Sequence, residues 1–339
     1  MTDPTRRLGP IVRLAPAKLN LTLAVVGRRP DGYHALHSIM VPLDLADRLS
    51  LAPAAGTHDT LHVVADDADR AVLGEVADNL VLRAIAAARA AVGGALSTPA
   101  LAARLEKRIP VAAGLAGGSS DAAAALDGAL EAWGAGEEAV LSNRERGALA
   151  ARLGSDVPFF LAGGVALVEG RGELVSALPD AIRGEPAGIL LVSPRIAVPT
   201  PAVFAAYAAS GAALNGATRQ TSEHLAGELQ RGLTARMLHD RAGILASAND
   251  LLPASAAIEP AIVPFRRALA RLTGRPIGLS GSGPTLWVLY PSLEEARAAE
   301  TVVRQALEGG TLVAPGDRPP FVMATFIAGR RQPGSNDPQ

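Results

Sequence analysis

Residues 110–125 read Pro-Val-Ala-Ala-Gly-Leu-Ala-Gly-Gly-Ser-Ser-Asp-Ala-Ala-Ala-Ala, a glycine and serine turn that runs straight into alanines. Alanine has the strongest helix propensity, so a loop here feeds a helix N-terminus, where unpaired backbone N–H groups and the positive dipole end attract an anion. Gly114, Gly117 and Gly118 let the backbone approach closely, and Ser119 and Ser120 add hydroxyl donors. Such a turn offers a phosphate cradle. It lacks the Gly-Lys-Ser/Thr of a Walker loop, and its glycines do not follow a first strand at dinucleotide-binding spacing. A glycine turn capped by serine or aspartate also starts an ordinary helix, so both readings stand at this point.

Lys18 and Lys107 are the only lysines, although Lys and Arg together number 32. Where arginine supplies the general surface charge, a retained lysine suits a compact point charge beside a phosphate or a reacting hydroxyl. The alternative is ordinary retention on a solvated face. In Lys18-Leu-Asn20-Leu-Thr22-Leu the alternation puts Lys18 and Asn20 on one face of a strand. Asp156, in Gly-Ser-Asp-Val-Pro-Phe-Phe, reads by itself as a helix N-cap.

The elements that must position these groups follow from pattern. Partial alternation predicts strands over 11–26 and 36–51, separated by the Pro30-Asp31-Gly32 turn with Tyr33 and His34 after it. Asp78 and Asn79 offer an N-cap for a helix from Leu80. A strand over 101–109 leads into the glycine turn, whose helix runs to about Trp133, and another helix covers 144–153. The stretch 179–187 reads as a domain hinge. Beyond it, 188–194 reads as a buried strand, strands recur over 277–290 and 321–327, and a helix spans 293–307. The polar tail after Arg331 reads as disordered.

Composition bounds the class. At 339 residues the chain is long enough for two domains with proper cores. Hydrophobic residues at 49% mark a folded globular protein, and 32 basic against 33 acidic residues advertise neither nucleic acid nor an anionic membrane. Cysteine is absent, which removes disulfides and thiolate chemistry and suits a reducing cytoplasm. The first residues lack the apolar core of a signal peptide, and no apolar run approaches the ~20 residues that span a bilayer. A cytoplasmic protein is expected.

Three glycine-rich segments, 114–121, 154–160 and 278–285, occur in order with Pro16-Ala17-Lys18-Leu19-Asn20 and Asp31-Gly32-Tyr33-His34. With this ordered set, which extends over about 10–330, the chain resembles the GHMP small-molecule kinases, and in particular those whose alcohol acceptor carries a cytidine diphosphate. The resemblance implies a two-domain α+β fold: a ribosomal-protein-like N-terminal domain (1–183), a ferredoxin-like C-terminal domain (184–330) with the active site in the cleft between them, and a flexible tail (331–339). It implies ATP and Mg²⁺ as cofactors, small-molecule partners, no nucleic acid or membrane, and a monomer or weak homodimer.

The resemblance also implies roles. Pro110, Gly114, Leu115, Ala116, Gly117, Gly118, Ser119 and Ser120 match the loop around the ATP phosphates. Lys107 matches a nucleotide-side lysine, and Asn79 the adenine side. Lys18 and Asp156 match the catalytic pair. A carboxylate, ordinarily with a pKa of about 3.9, is a weak base toward an alcohol, so late proton transfer is expected, with Asp156 mainly orienting the hydroxyl. Asn20 matches an acceptor-holding asparagine, and Thr200 lies in the segment that carries Phe204. Tyr33, His34 and Phe204 match residues that grip a cytosine ring. Aromatics make up only 3% of the chain, which favours that reading of Tyr33 over core filling; Phe204 could instead be buried by its own helix. No residue is assigned to a metal. The family's loop often carries glycine where Ala116 stands, so alanine is expected to keep φ below zero there. Rival readings are a GHMP kinase for mevalonate derivatives, homoserine or a sugar, and a non-catalytic ligand sensor on the same fold.

Overall fold

The computed structural model describes residues 10–329 apart from 95, 136–139, 180 and 212–215. The readings made at 1–7, at Asp180 and on the tail 331–339 lie outside the described residues. The chain opens with strands β1 (Ile11–Asn20), β2 (Ala24–Arg28) and β3 (His34–Pro53), where alternation predicts them. After β4 (Thr60–Val64) and the short α1 (Asp67–Arg70) comes α2 (Leu80–Val92). Asn79 is its N-cap, the side-chain oxygen accepting from Val81 N–H at 2.9 Å. β5 (Leu101–Glu106) precedes the glycine turn and α3 (Gly117–Ala132). A capping box between Ser142 and Glu145 starts α4 (Asn143–Leu153), and α5 (Val157–Ala162) follows.

Next come β6 (Ala166–Gly170), β7 (Leu174–Ala177), β8 (Ile182–Arg183) and β9 (Gly188–Ser193). α6 (Thr200–Ala209), α7 (Gly216–Arg231), β10 (Leu233–Thr234), α8 (Ala235–His239), α9 (Ala242–Leu245) and α10 (Leu252–Ile258) continue the chain. It closes with α11 (Ile262–Thr273), β11 (Gly278–Leu279), β12 (Leu286–Tyr290), α12 (Leu293–Glu308) and β13 (Phe321–Phe326). Gly274 ends α11 in the left-handed conformation at φ 63°, the usual glycine stop.

The chain forms two compact units. The first holds the described residues of Met1–Pro16, Ala46–Val111 and Gly117–Leu161. Here β4 runs parallel to β5, with Thr60 opposite Ala102, and β5 runs antiparallel to the last part of β3, with Glu106 opposite Arg48. Leu49, Leu51, Ile85, Leu105 and Leu126 are each at most 2% exposed in one core with the alanines of α3. Each such side chain contributes about 1.5–3 kcal/mol by leaving water. Gly128 permits close approach, because a Cβ there would lie 2.7 Å from Leu51 Cδ1 and that side chain would have to shift. Small residues along α3 therefore let the helix that begins at the glycine turn lie close to β3.

The second unit holds the described residues of Ala17–Leu45, Ala112–Ala116 and Ala162–Gln339. β2 and β6 pair antiparallel with the first part of β3, and β7 pairs with β6. A second, wholly antiparallel sheet has the order β11-β12-β9-β13. Every residue of β9 is buried, as its continuous apolar run predicts for a central strand. Leu190, Val192, Leu286 and Val288 share a core with Val203, Phe265, Leu269 and Val303 from α6, α11 and α12. β8 pairs with β10 in a two-stranded parallel ladder. Among the described residues no helix is long and apolar enough to cross a membrane.

Candidate active site

In the first unit the approach to α3 is held by buried charge. Asp47, on β3 and 0% exposed, accepts from the backbone N–H groups of Arg108 and Ile109, the latter at 2.8 Å. It also accepts from Lys107 Nζ, which donates in turn to Asp121 Oδ2 at 2.7 Å. Lys107 is only 5% exposed, so it is no solvated surface charge. Its ammonium lies 3.1 Å from where a Cβ on Gly117 would stand, directly behind the start of α3. Burial pushes the Asp121 carboxyl up to about 7, while Lys107 pulls the other way and Asp47 adds to the rise. Val111 N–H is fixed by Asp69 Oδ1 at 2.8 Å, so aspartates anchor both sides of Pro110, itself buried.

The remaining first-unit residues gather at the beginning of α3. Gly118 faces Leu80, whose Cδ1 would be 3.7 Å from a Cβ there, so the Asn79 cap lies near the loop. A Cβ on Gly154 would lie 3.6 Å from Ser119 Oγ, which brings the turn carrying half-buried Asp156 alongside the same helix start. Ser120 Oγ is buried and without a hydrogen-bond partner. A buried orphan hydroxyl is costly unless something supplies a partner. A helix N-terminus with Gly117, Gly118 and an unpartnered Ser120 hydroxyl fits an anionic phosphate. Among the described residues no group of three or more His, Cys, Asp or Glu could hold a metal ion.

In the second unit, residues 112–116 lie against the turn between β11 and β12. Ser280 Oγ donates to Gly114 O at 3.0 Å, and Thr285 N–H donates to Ala113 O at 3.3 Å. Gly114 has φ 76°, and a Cβ on it would stand 2.7 Å from both Ser280 O and Gly283 O; no other residue fits. Lys18 N–H donates to Leu115 O at 3.1 Å. Lys18 is 4% and Asn20 2% exposed, and their side chains meet as the strand alternation predicts, with Nζ donating to Asn20 Oδ1 at 2.7 Å. Gly281 closes this group, a Cβ there being 3.5 Å from both Lys18 Nζ and Asn20 Oδ1.

Ala116 corrects an expectation. Its φ is +55°, not negative, and Ala112 is similar at +56°. The contacts on Gly114 and Leu115 over-determine the backbone, which holds alanine in a region that costs it roughly 1–2 kcal/mol. Ala116→Gly removes that strain but adds about 0.4–1 kcal/mol of unfolded-chain entropy to be lost. The variant is expected to be more stable by up to about 1.6 kcal/mol, seen as a higher urea midpoint; a lower midpoint would show that the site tolerates alanine without strain.

The ring residues also assemble in the second unit. His34 and Phe204 stack with centroids 5.2 Å apart and planes 22° apart, and Tyr207 meets His34 edge-on at 5.9 Å. Phe204 is half-buried, so α6 does not simply bury it. Thr200, in the first turn of α6, shares a hydrogen bond with Ser282 Oγ at 2.8 Å, which ties the ring-bearing helix to the turn beside Lys18. Tyr33 is 53% exposed, and the Arg171 guanidinium sits 5.3 Å over its ring. Burial, with Arg28 adding to it, lowers the pKa of His34 from its usual 6.5. Its ring is therefore neutral at pH 7, with one nitrogen donating and the other accepting.

The expected site residues thus fall into two sets. Asn79, Lys107, Pro110, Gly117, Gly118, Ser119, Ser120 and Asp156 belong to the first unit; Lys18, Asn20, Tyr33, His34, Gly114, Leu115, Ala116, Thr200 and Phe204 belong to the second. Sequence reasoning missed Asp47 and Asp69, which hold the loop, and Arg171 beside Tyr33. Nothing in their local pattern marks them, since each acts on residues far along the chain.

The model for the GHMP kinases N terminal domain matches residues 79–164. The 4-diphosphocytidyl-2-C-methyl-D-erythritol kinase of Pelotomaculum thermopropionicum is 38% identical over 88% of this chain and 95% of its own length. That of Gluconacetobacter diazotrophicus is 40% identical over 90% and 94%. Among solved structures, a 4-(cytidine 5'-diphospho)-2C-methyl-D-erythritol kinase superposes with a TM-score of 0.63 at 30% identity, covering 93% of this chain and 99% of that one. A homoserine kinase from Cytophaga hutchinsonii superposes with a TM-score of 0.65 at 16% identity, which shows the shared fold. Fold and matched segment together define an α+β kinase of the GHMP class. Within that class the chain belongs to the 4-diphosphocytidyl-2-C-methyl-D-erythritol kinase family.

Proposed function

We propose that this chain transfers the γ-phosphoryl group of ATP to the 2-hydroxyl of 4-diphosphocytidyl-2-C-methyl-D-erythritol, giving the 2-phosphate, in the non-mevalonate (methylerythritol phosphate) route to isoprenoids. The observation that carries the reading beyond family membership is the ring cluster of the second unit. His34, at the start of β3, stacks on Phe204 of α6, the helix whose first turn is hydrogen-bonded to the turn bordering Lys18 and Asn20. Acceptors such as mevalonate or homoserine have no base to use such rings.

The roles follow from chemistry. Gly114, Leu115, Ala116, Gly117, Gly118, Ser119 and Ser120 hold the ATP phosphates through backbone N–H groups and hydroxyls, with Pro110, Lys107 and Asn79 shaping the nucleotide side. Mg²⁺, held by phosphates and water with Ser119 or Ser120, would neutralise phosphate charge. Phosphoryl transfer needs positioning and charge neutralisation more than covalent help. Asp156 orients the acceptor hydroxyl and takes its proton late, Lys18 stabilises the alkoxide charge that develops, and Asn20 and Thr200 hold the acceptor. Tyr33, neutral His34 and Phe204 grip cytosine. We assign the reaction to the cytoplasm, whose reducing conditions suit a cysteine-free chain, and take the working form as a monomer or weak homodimer.

The test is a coupled ADP-release assay with Mg²⁺ and ATP that compares the cytidyl acceptor with mevalonate phosphate, homoserine and galactose. Turnover confined to the cytidyl compound is expected. Turnover on another acceptor would remove the substrate assignment, and ATP binding without turnover on any acceptor would favour a ligand sensor. Base–aromatic stacking is worth about 1–3 kcal/mol, so Phe204→Ala is expected to raise the acceptor KM roughly 5- to 150-fold with the ATP KM unchanged. An unchanged acceptor KM would place the base elsewhere.

A further inference from the structure

Beneath Lys18 and Asn20 the second unit contains a chain of buried hydrogen bonds that runs in one direction. Lys18 Nζ donates to Asn20 Oδ1 at 2.7 Å, Asn20 Nδ2 donates to Ser38 Oγ at 2.8 Å, and Ser38 Oγ donates to the carbonyl of Thr22 at 2.6 Å. The direction follows from the chemistry of the two ends. An ammonium only donates, so the amide atom facing it is the oxygen; a carbonyl only accepts, so the single hydroxyl proton of Ser38 goes to Thr22. Ser38 Oγ is left with lone pairs alone, one of which accepts from the amide NH₂ of Asn20. Ser38 is 0% exposed, which leaves little room for a substitute from solvent.

The far end is braced. Thr22 Oγ1 accepts from Ile39 N–H at 3.0 Å and donates to Ser222 Oγ on α7 at 2.8 Å. Ser222 in turn lies 2.9 Å from His37 Nδ1. The carbonyl that ends the chain is thereby fixed from the side by α7 and β3.

We infer that Ser38 is a positioning residue of this kinase: its hydroxyl locks the Asn20 amide with the oxygen toward Lys18, and so fixes the ammonium for the charge that develops on the acceptor oxygen. The inference rests on the proposed roles of Lys18 and Asn20. Without the hydroxyl, the Asn20 NH₂ has no partner on its buried side and the amide is free to turn. A turned amide presents its donors to the ammonium, and the two repel. Because Lys18 acts on charge present only in the transition state, the loss falls on kcat. Because Asn20 also holds the acceptor, the acceptor KM rises with it, while none of these hydrogen bonds involves a residue assigned to ATP, so the ATP KM stays.

The experiment compares Ser38→Ala and Ser38→Thr with the parent, with kcat referred to the folded fraction read from urea unfolding. Ser38→Ala is expected to lower kcat at least tenfold and raise the acceptor KM, with the ATP KM within twofold. Ser38→Thr, which restores the hydroxyl, is expected to return kcat to within about threefold of the parent. A kcat for Ser38→Ala within twofold of the parent overturns the inference. Equal impairment of the alanine and threonine variants also overturns it, since packing and not the hydroxyl would then matter. Should Ser38→Ala fail to fold, Ser38→Cys, nearly isosteric but with a weakly hydrogen-bonding sulfur, gives the same reading: a several-fold loss supports the inference and a parental kcat overturns it. A parent that does not phosphorylate the cytidyl acceptor at all overturns the kinase reading itself, a separate result from a failure of Ser38 in an active enzyme.

Discussion

Asp156→Ala is expected to lower kcat at least a thousandfold while the unfolding midpoint stays near that of the parent. A positioned general base contributes typically 10²–10⁴-fold, and a thousandfold loss is about 4 kcal/mol of transition-state stabilisation. The location of Asp156 is what gives this residue that share. It sits between α4 and α5, in a turn whose Gly154 packs against Ser119 Oγ at the start of α3. The proposed base and the proposed phosphate-binding hydroxyls are thus carried by adjacent backbone in one unit. That backbone is held by its own bonds, Gly154 N–H to Ala150 O at 3.1 Å and Val157 N–H to Gly154 O at 3.3 Å, so the fold should survive loss of the side chain. Asp156→Asn separates orientation from proton transfer. Its amide oxygen still accepts from the acceptor hydroxyl but takes no proton, so if orientation dominates it retains about tenfold more activity than alanine. Steady-state ADP release with both variants decides the matter. An alanine variant within tenfold of the parent would remove Asp156 from the reaction.

Local chemistry made part of this site legible in the sequence. The period of two placed Lys18 and Asn20 together, and they are 2.7 Å apart. The Asn79 cap, the helix issuing from the glycine turn and the buried strand at 188–193 were equally readable, because each depends on residues a few positions apart. What stayed hidden depends on distant partners. The stack of His34 on Phe204 joins residues 170 positions apart; the resemblance gave the two a common role but not this contact. The positive φ of Ala116 is imposed by contacts that Gly114 and Leu115 make with Ser280, Gly283 and Lys18; alanine's own preference pointed the other way. β1 and β3 each pass from one compact unit into the other at Pro16 and at Leu45, where no change in composition marks a passage. Asp47 was visible only as a polar interruption in an alternating strand, although it holds the backbone at Arg108 and Ile109 some sixty residues later.

Lys107→Met is expected to destabilise the protein by about 3–5 kcal/mol, the cost of removing one partner from a buried ion pair. The size follows from what remains. Asp47 is fully buried and Asp121 is 3% exposed, and without the ammonium their carboxylates face each other with no cation. Asp47 keeps the N–H groups of Arg108 and Ile109, whereas Asp121 loses its charged partner. Asp121 already lies near 7 with Lys107 present, because burial outweighs the attraction. Removing the lysine takes away a lowering influence, so the variant's carboxyl moves further up and its native state holds a proton that the unfolded chain, with its carboxyl at the ordinary value, releases above about pH 4. A raised carboxyl contributes stability that is complete below the unfolded value and is lost as pH rises through the folded one. The variant's deficit should therefore be smaller at pH 5.5 than at pH 8, which urea unfolding at the two values measures directly. A uniform deficit across that range would mean that altered packing around the new side chain, and not the unpaired buried carboxylates, sets the cost. The site shares in the damage, because Lys107 lies behind Gly117 and Asp47 fixes the backbone entering Pro110. ATP affinity in the surviving folded molecules should fall as the loop loses its buried anchor. Asp121→Asn in the Lys107→Met background leaves a single buried carboxylate, already bonded to two backbone N–H groups, and is expected to recover part of the lost stability at pH 8.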